Sequence, residues 1–385
     1  MKKVVFINSH PIQYFAPLYK YLNEQSLPTS CWYCSDENVK GHLDRQFGTT
    51  VAWDVPLLGG YLYRFFKNYS LKPSLYNGFF GLFNPGMIRA LFKEPKSIVV
   101  VHGWAYMTHI LVLIFARLAG HTVCLRGESP LNQELLKSKK TIFAKRLLLQ
   151  WFLFRWVHYF LYIGKQNKDF YKFYGVPEYQ LLFTPYAVDN DRFQKAAGVL
   201  APQKKQLRQE LGLPVDGKII LFTAKYIQKK RPLDLLEAYR TLNVSNKCLV
   251  MVGDGELRSV MERMIEQNKL LNVFLTGFIN QKEIEKYYAI ADVFVLCSEE
   301  GETWGLSVNE ALNFSLPVVV SNLSGCSYDL VSEGEDGYVF QSGNISELQN
   351  KIKSAISIEK ERMPLDILSV YSYRTIQQSL RLLIN

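Results

Sequence analysis

Residues 298–321 read SEEGETWGLSVNEALNFSLPVVVS. Two carboxylates, Glu302 and Glu310, stand eight positions apart, with Trp304-Gly305-Leu306 between them. The apolar run at 291–296 predicts a buried strand entering this stretch. Gly301 predicts a tight loop, and the residues from about Thr303 onward a helix that stops before Pro317. A helix start carries free backbone N–H groups and a partial positive charge, so it attracts an anion. Gly305 has no side chain to keep a ligand off that backbone. At roughly 100° per residue, eight residues bring Glu310 back to within about 80° of the helix start. Both acids could therefore meet one elongated ligand, with a phosphate on the amides and hydroxyl groups at the carboxylates. Taken alone, two glutamates on a helix are as readily an ordinary solvated face.

Outward from this stretch the pattern repeats. Strand-like runs at 218–223, 248–252, 273–275, 317–321 and 337–340 alternate with helical segments, the signature of a parallel, doubly wound sheet. After the first of these comes Lys225-Tyr226-Ile227-Gln228-Lys229-Lys230-Arg231-Pro232, a basic turn suited to an anion or simply solvated. The second ends in Gly253-Asp254-Gly255, first of all a turn motif. Phe278 follows the third. The run at 196–209, polar with Gly and Pro, reads as a linker.

The N-terminal half has the same alternation. A strand at 4–8 leads to Ser9-His10-Pro11. One at 97–101 leads to His102-Gly103-Trp104, and one at 122–125 to Arg126-Gly127-Glu128. Ligands bind at the carboxyl ends of such strands, which makes His10, His102, Trp104, Arg126 and Glu128 candidates. The ordinary readings are a solvated or capping His10, packing for His102 and Trp104, and a structural Arg126–Glu128 pair. Residues 61–86, rich in aromatics and Gly, are either an acceptor-side or membrane-facing region or a core lining. At 131–166, lysines and arginines interleave with Leu, Phe and Trp. No uncharged stretch there reaches the ~20 apolar residues of a membrane span. This reads as amphipathic helices, either core elements or a surface for lipid headgroups.

At 385 residues the chain favours two domains. Its net charge of +10 is uneven: residues 1–195 hold 24 Lys/Arg against 12 Asp/Glu, and the remainder 21 against 23. A basic N-terminal half points to an anionic partner. No zinc-finger, RNP-like or helix-turn-helix pattern supports nucleic acid. The six cysteines include one CxxC, Cys31 to Cys34, with no second pair, and read as core residues. The N-terminal MKKVVFINSH runs straight into a strand and is too short for a signal peptide, so a cytoplasmic protein with reduced thiols is expected. No Asp-x-Asp pair stands at a predicted strand end, so no metal site is expected.

The 298–321 stretch resembles the E-x7-E signature of family 4 glycosyltransferases, retaining enzymes of the GT-B fold. Lys225 and Lys230 are similar to that family's phosphate-gripping Arg and Lys, five positions apart. Lys at the first position lacks the bidentate fork of Arg, with Lys229 and Arg231 as nearby reserves. Tyr186-Ala187-Val188-Asp189 is similar to the family's segment before its second domain. Two departures stand out. His10-Pro11 replaces a glycine pair, and Arg126 and Glu128 stand where relatives carry a histidine.

The resemblance implies two Rossmann-like doubly wound α/β domains facing across a cleft. These are an acceptor-side domain at 1–195, a nucleotide-sugar domain at 196–365, and a tail helix at 366–385 packing back on the first. It gives Glu302 the transferred sugar and Glu310 the donor ribose. The Trp304-Gly305-Leu306 backbone takes sugar and diphosphate, while Lys225, Lys230, Gly253 and Phe278 complete the donor site. Glu302, Arg126 and His102 are then the catalytic candidates, and His10, Trp104 and Glu128 the acceptor side. The implied activity is retaining, metal-independent transfer from a nucleoside-diphosphate sugar, without a cofactor, to a saccharide or lipid-linked acceptor. Its setting would be cell-surface polysaccharide or glycolipid biosynthesis, in the cytoplasm or peripheral on the inner face of an anionic membrane. The alternatives are a GT-B-like epimerase or phosphorylase, or a non-catalytic nucleotide-sugar-binding protein.

Overall fold

The computed structural model describes residues 2–37, 39, 42–44, 49–51, 53–360, 363–364 and 366–384. The chain divides into two compact units: 1–42, 56–186 and 372–385 form one, and 43–55 with 187–371 the other.

The strands in chain order are β1 (Val4–Asn8), β2 (Thr29–Tyr33), β3 (His42–Asp44), β4 (Thr49–Val51), β5 (Leu62–Phe65), β6 (Ile98–His102), β7 (Thr122–Arg126), β8 (Tyr159–Tyr162) and β9 (Leu181–Phe183). They continue as β10 (Lys218–Thr223), β11 (Lys247–Val252), β12 (Val273–Leu275), β13 (Val293–Leu296), β14 (Val318–Ser321) and β15 (Gly337–Phe340). The first unit holds a seven-stranded sheet ordered β5-β2-β1-β6-β7-β8-β9, whose neighbours pair in parallel. The second holds a six-stranded parallel sheet ordered β12-β11-β10-β13-β14-β15. Parallel sheets are covered on both faces, so their strands are continuous Val/Ile/Leu runs. Every residue of β1, β13 and β14 is buried accordingly. In each sheet the chain starts centrally, winds one way, returns and winds the other. This reversal opens a crevice at the strands' carboxyl ends, between β1 and β6 in one unit and β10 and β13 in the other.

Several expectations change. The 196–209 run is not a loop. Helices Asn190–Leu200 and Lys204–Glu210 occupy it, and Lys204 and Arg208 both pair with Asp292 at 2.8 Å. Its polar composition is the solvent side of helices, not a linker. The units therefore divide at 186/187 rather than 195/196. Helix Asp366–Val370 belongs with the second unit: the Asn190 amide donates to the carbonyls of Leu368 (2.9 Å) and Tyr371 (3.0 Å). The tail that packs in the first unit is thus 372–385, where the Arg381 guanidinium donates to the Gln25 carbonyl at 2.8 Å. Residues 43–55 also group with the second unit. Trp53 meets Phe278 edge-on at 5.8 Å, and Asp54 accepts from the Lys282 backbone at 3.0 Å.

All six cysteines are buried free thiols. In 61–86, Tyr61, Phe66 and Leu82 are core, as the core-lining reading expects, while Leu62, Leu71 and Phe80 face outward. The 131–156 region is a chain of short helices: Leu131–Glu134, Lys139–Leu147, a π-helical Leu148–Leu153 and a 3-10 turn Phe154–Trp156. No described helix is long and apolar enough to cross a membrane.

Candidate active site

In the second unit the loops after β10 and β13 lie at the crevice edge and carry most of the chemistry. The helix after β13 is Leu306–Leu312, starting later than Thr303. Gly305 sets its start: it holds φ +105°, and a Cβ there would press on Leu296 at 2.7 Å. Only glycine adopts this backbone at little cost. Glu302 is buried. It accepts hydrogen bonds from the Lys230 ammonium and, at 3.0 Å, from the Ser298 hydroxyl. Burial pushes its carboxyl up, but Lys230, Lys229 and these hydrogen bonds outweigh burial and hold it below the usual range. The Lys229 ammonium donates to the Gly301 carbonyl at 2.8 Å, and burial lowers its pKa. Lys225 lies in electrostatic reach of Lys229. Lys230 and Lys229 thus act on one carboxylate, with Lys225 in reach of Lys229, a basic loop suited to a diphosphate. Arg231 is no reserve: it binds Asp234 at 2.6 Å and Glu299 at 2.8 Å.

Glu310 is buried one helix turn beyond Leu306 and accepts from the Tyr288 hydroxyl at 2.6 Å. Tyr288 and the Thr223 hydroxyl lie 3.0 Å apart. The carboxylate is therefore oriented from the end of β10. Nothing in the sequence spacing pointed to Tyr288, Thr223 or Ser298 as members of this network. Trp304 does not offer its ring to a ligand. Its indole N–H donates to Asn309 at 2.8 Å, and its ring stacks on Tyr371 at 5.4 Å. Gly253, at φ +145°, lets the chain pass against the Ala224 carbonyl, and its N–H donates to Gly277 at 3.0 Å. Phe278 meets Trp53, as above. Among the described residues no group of three or more His, Cys, Asp or Glu is placed to hold a metal ion.

The first unit assembles a different cluster. His102 and Arg126 pair in register at the ends of β6 and β7. The guanidinium of Arg126, itself buried, lies over the rings of Tyr186 (4.6 Å) and Phe15 (5.2 Å) and donates to Glu128 at 3.4 Å. Phe15 also packs on His102 at 4.6 Å. Burial, then Arg126 and His109, push His102 well below its ordinary pKa, so it is neutral near pH 7. His10, after β1, is pushed down to about 4 by burial and sits 2.9 Å from the Ser9 hydroxyl. Of the sequence candidates, His102, Arg126 and Glu128 come together. Trp104 instead stacks on Phe170 at 6.1 Å, with Phe154 at its edge, as a packing residue. Phe15 and Tyr186 are the cluster members that local reading missed. A cavity of about 570 Å³, lined by Arg117, Gln150, Arg155, His158 and Gln180 among others, opens at the opposite, amino-terminal edge of β8.

Residues 203–366 match the family model described as Glycosyl transferases group 1. The α-monoglucosyldiacylglycerol synthase of Acholeplasma laidlawii is 31% identical over 164 residues, 40% of this chain and 39% of that protein. The lipopolysaccharide 1,2-N-acetylglucosaminetransferase of Salmonella typhimurium is 26% identical over 189 residues, 45% of this chain and 49% of that protein. The chain thus spans less than half the length of these curated relatives. Among solved structures, Anabaena HepE in complex with UDP and glucose superposes with a TM-score of 0.72 at 15% identity, covering 100% of this chain and 99% of that one. The fold is therefore of the GT-B kind, with two parallel-sheet α/β domains.

Proposed function

We propose that this chain is a retaining, metal-independent glycosyltransferase. It takes a sugar from a nucleoside-diphosphate sugar and gives it to a saccharide or lipid-linked acceptor, in cell-surface polysaccharide or glycolipid biosynthesis on the cytoplasmic side of a membrane. The observation that carries this reading is the pair Lys229 and Lys230 at Glu302, with Lys225 beside Lys229 and the oriented Glu310 eight residues on, all in the segment that matches the family model. Lys225 and Lys230 neutralise the departing diphosphate. Glu310 accepts from the donor ribose, held in position by Tyr288. Glu302 faces the transferred sugar, where positive charge grows as the bond to diphosphate stretches. The sugar's C1–O bond to phosphate breaks and a C1–O bond to the acceptor hydroxyl forms on the same face. The hydroxyl proton passes to the leaving phosphate oxygen. His102, Arg126 and Glu128, with His10, serve the acceptor side; a neutral His102 can take a hydrogen bond from an acceptor hydroxyl.

Glu310→Ala removes a charge-assisted hydrogen bond worth about 1.5–3 kcal/mol. Donor affinity by titration calorimetry should fall by roughly tenfold to a hundredfold. Tyr288→Phe keeps the carboxylate and should lose less. Equal affinity in wild type and Glu310→Ala contradicts the assignment. Acceptor-dependent release of nucleoside diphosphate should also survive excess EDTA, because lysines carry the neutralisation. Abolition by EDTA and rescue by Mg²⁺ or Mn²⁺ would show a metal in that role.

A further inference from the structure

We propose that the outward face of residues 135–152 docks on an anionic lipid bilayer. The inference deepens the acceptor side of the proposed function and rests on that reading only for the acceptor's location, not for the docking itself. Its basis is an inversion of the usual amphipathic arrangement. Glu134 is buried and accepts from Lys137 (3.0 Å), Lys145 (2.7 Å) and the Tyr174 hydroxyl (2.7 Å). Lys145 also lies over Phe170 at 4.8 Å. The Arg146 guanidinium lies over Phe173 at 4.7 Å and donates to its carbonyl at 3.2 Å. Lys145 and Arg146 thus turn inward, while Lys137 stays exposed but is paired with Glu134.

The large apolar side chains turn out. Helix Lys139–Leu147 buries no residue at all. Phe143 is 65% exposed and Trp151 64%, with Leu136, Leu147, Leu148 and Phe152 also exposed. The π-helical turn at Leu148–Leu153 bonds i to i+5. Residues four and five apart there, 147 and 148 with 151 and 152, therefore stay on one side, and Phe143 lies one α-helical turn before Leu147. A soluble surface seldom carries an apolar stripe of this size without a partner.

Charge identifies the partner. Residues 135–158 contain no Asp or Glu. Lys139 and Lys140 are exposed at one end of the stripe. At the other end Arg155 is exposed and lies over the Trp151 ring at 5.4 Å. A second copy docking face to face would oppose like charges, since a two-fold interface uses the same patch twice. An anionic bilayer accepts both features: apolar side chains enter the headgroup boundary and the cations meet lipid phosphates.

The test is sedimentation of the full chain with phosphatidylglycerol-containing vesicles and with neutral phosphatidylcholine vesicles. Binding is expected only to the anionic vesicles, and should weaken as salt rises. Phe143→Ser and Trp151→Ser should each reduce apparent affinity by about tenfold. Lys139→Glu with Lys140→Glu should reduce it by at least about tenfold at low salt. These lysines open a helix capped by Ser138, where acids are favourable, so that variant keeps its fold. The melting-point rise given by a nucleoside-diphosphate sugar should stay unchanged in all of these variants. A failed docking proposal and a failed transferase reading are thereby distinguished. Absence of sedimentation at low salt overturns the proposal. So does equal binding to neutral vesicles, or lipid-free self-association that the Ser variants abolish.

Discussion

Lys230→Ala should weaken binding of a nucleoside-diphosphate sugar by up to about a hundredfold, while the free nucleoside binds within about twofold of wild type. The difference arises because the lost partner serves phosphate. The same change should destabilise the fold by about 3 kcal/mol, since it strips a buried carboxylate of its counter-charge. The lower end of the usual range applies because Lys229 remains beside Glu302. This loss has a pH signature. In the wild type Glu302 lies below its ordinary value of about 4.3. Its contribution is therefore present above that value and lost as pH falls through the folded value. Without Lys230 the upward push of burial is less opposed, and the folded state prefers the neutral acid. The stability deficit of Lys230→Ala should then be largest near neutral pH and shrink in acid, read by urea melts at both. A deficit independent of pH would mean the pair does not hold Glu302 ionised.

Glu302→Gln should lower the rate of sugar transfer by on the order of 10²–10³ with donor affinity retained or improved. Glutamine keeps the volume and can still accept from Ser298, so the loop persists. What disappears is the negative charge beside the sugar carbon, needed most when positive charge develops in the transition state. Lys230, no longer shared with a carboxylate, is left for the diphosphate. The expected pattern is a fall in kcat with KM unchanged or lower. Transfer within tenfold of wild type would remove Glu302 from the chemistry.

How much of this was legible depended on whether a feature is local. The runs of Val, Ile, Leu and Phe in β1, β6, β10 and β13 announce buried parallel strands by composition, and the strand ends then place Lys225, Lys230, Glu302, His102 and Arg126 at crevice edges. Partnership across the chain is not legible in this way. Lys230 and Glu302 are 72 residues apart, and Tyr288 and Glu310 are 22 apart. Only the β10–β13 adjacency and helix packing bring them together. Trp304 illustrates the limit differently: it lies just before the helix at Leu306–Leu312, and its ring is taken by Asn309 and Tyr371. Among the described residues, Trp53 and Asp54 tie 43–55 to the second unit, and no periodicity marks either. In 131–156 the periodicity announces amphipathic helices but not which side faces in. Glu134, the one acid of that region, decides it by drawing Lys145 inward.

The central claim is that the lysine–glutamate constellation of the second unit binds a nucleoside-diphosphate sugar. A thermal-shift series with UDP-, GDP-, dTDP- and ADP-sugars tests it most directly, because a ligand that binds only the native state raises the melting point. At least one of them should raise the melting point of the wild-type chain, and the rise should shrink in Glu310→Ala and Lys230→Ala. No rise with any nucleotide sugar, or a rise that both variants retain in full, would contradict the claim.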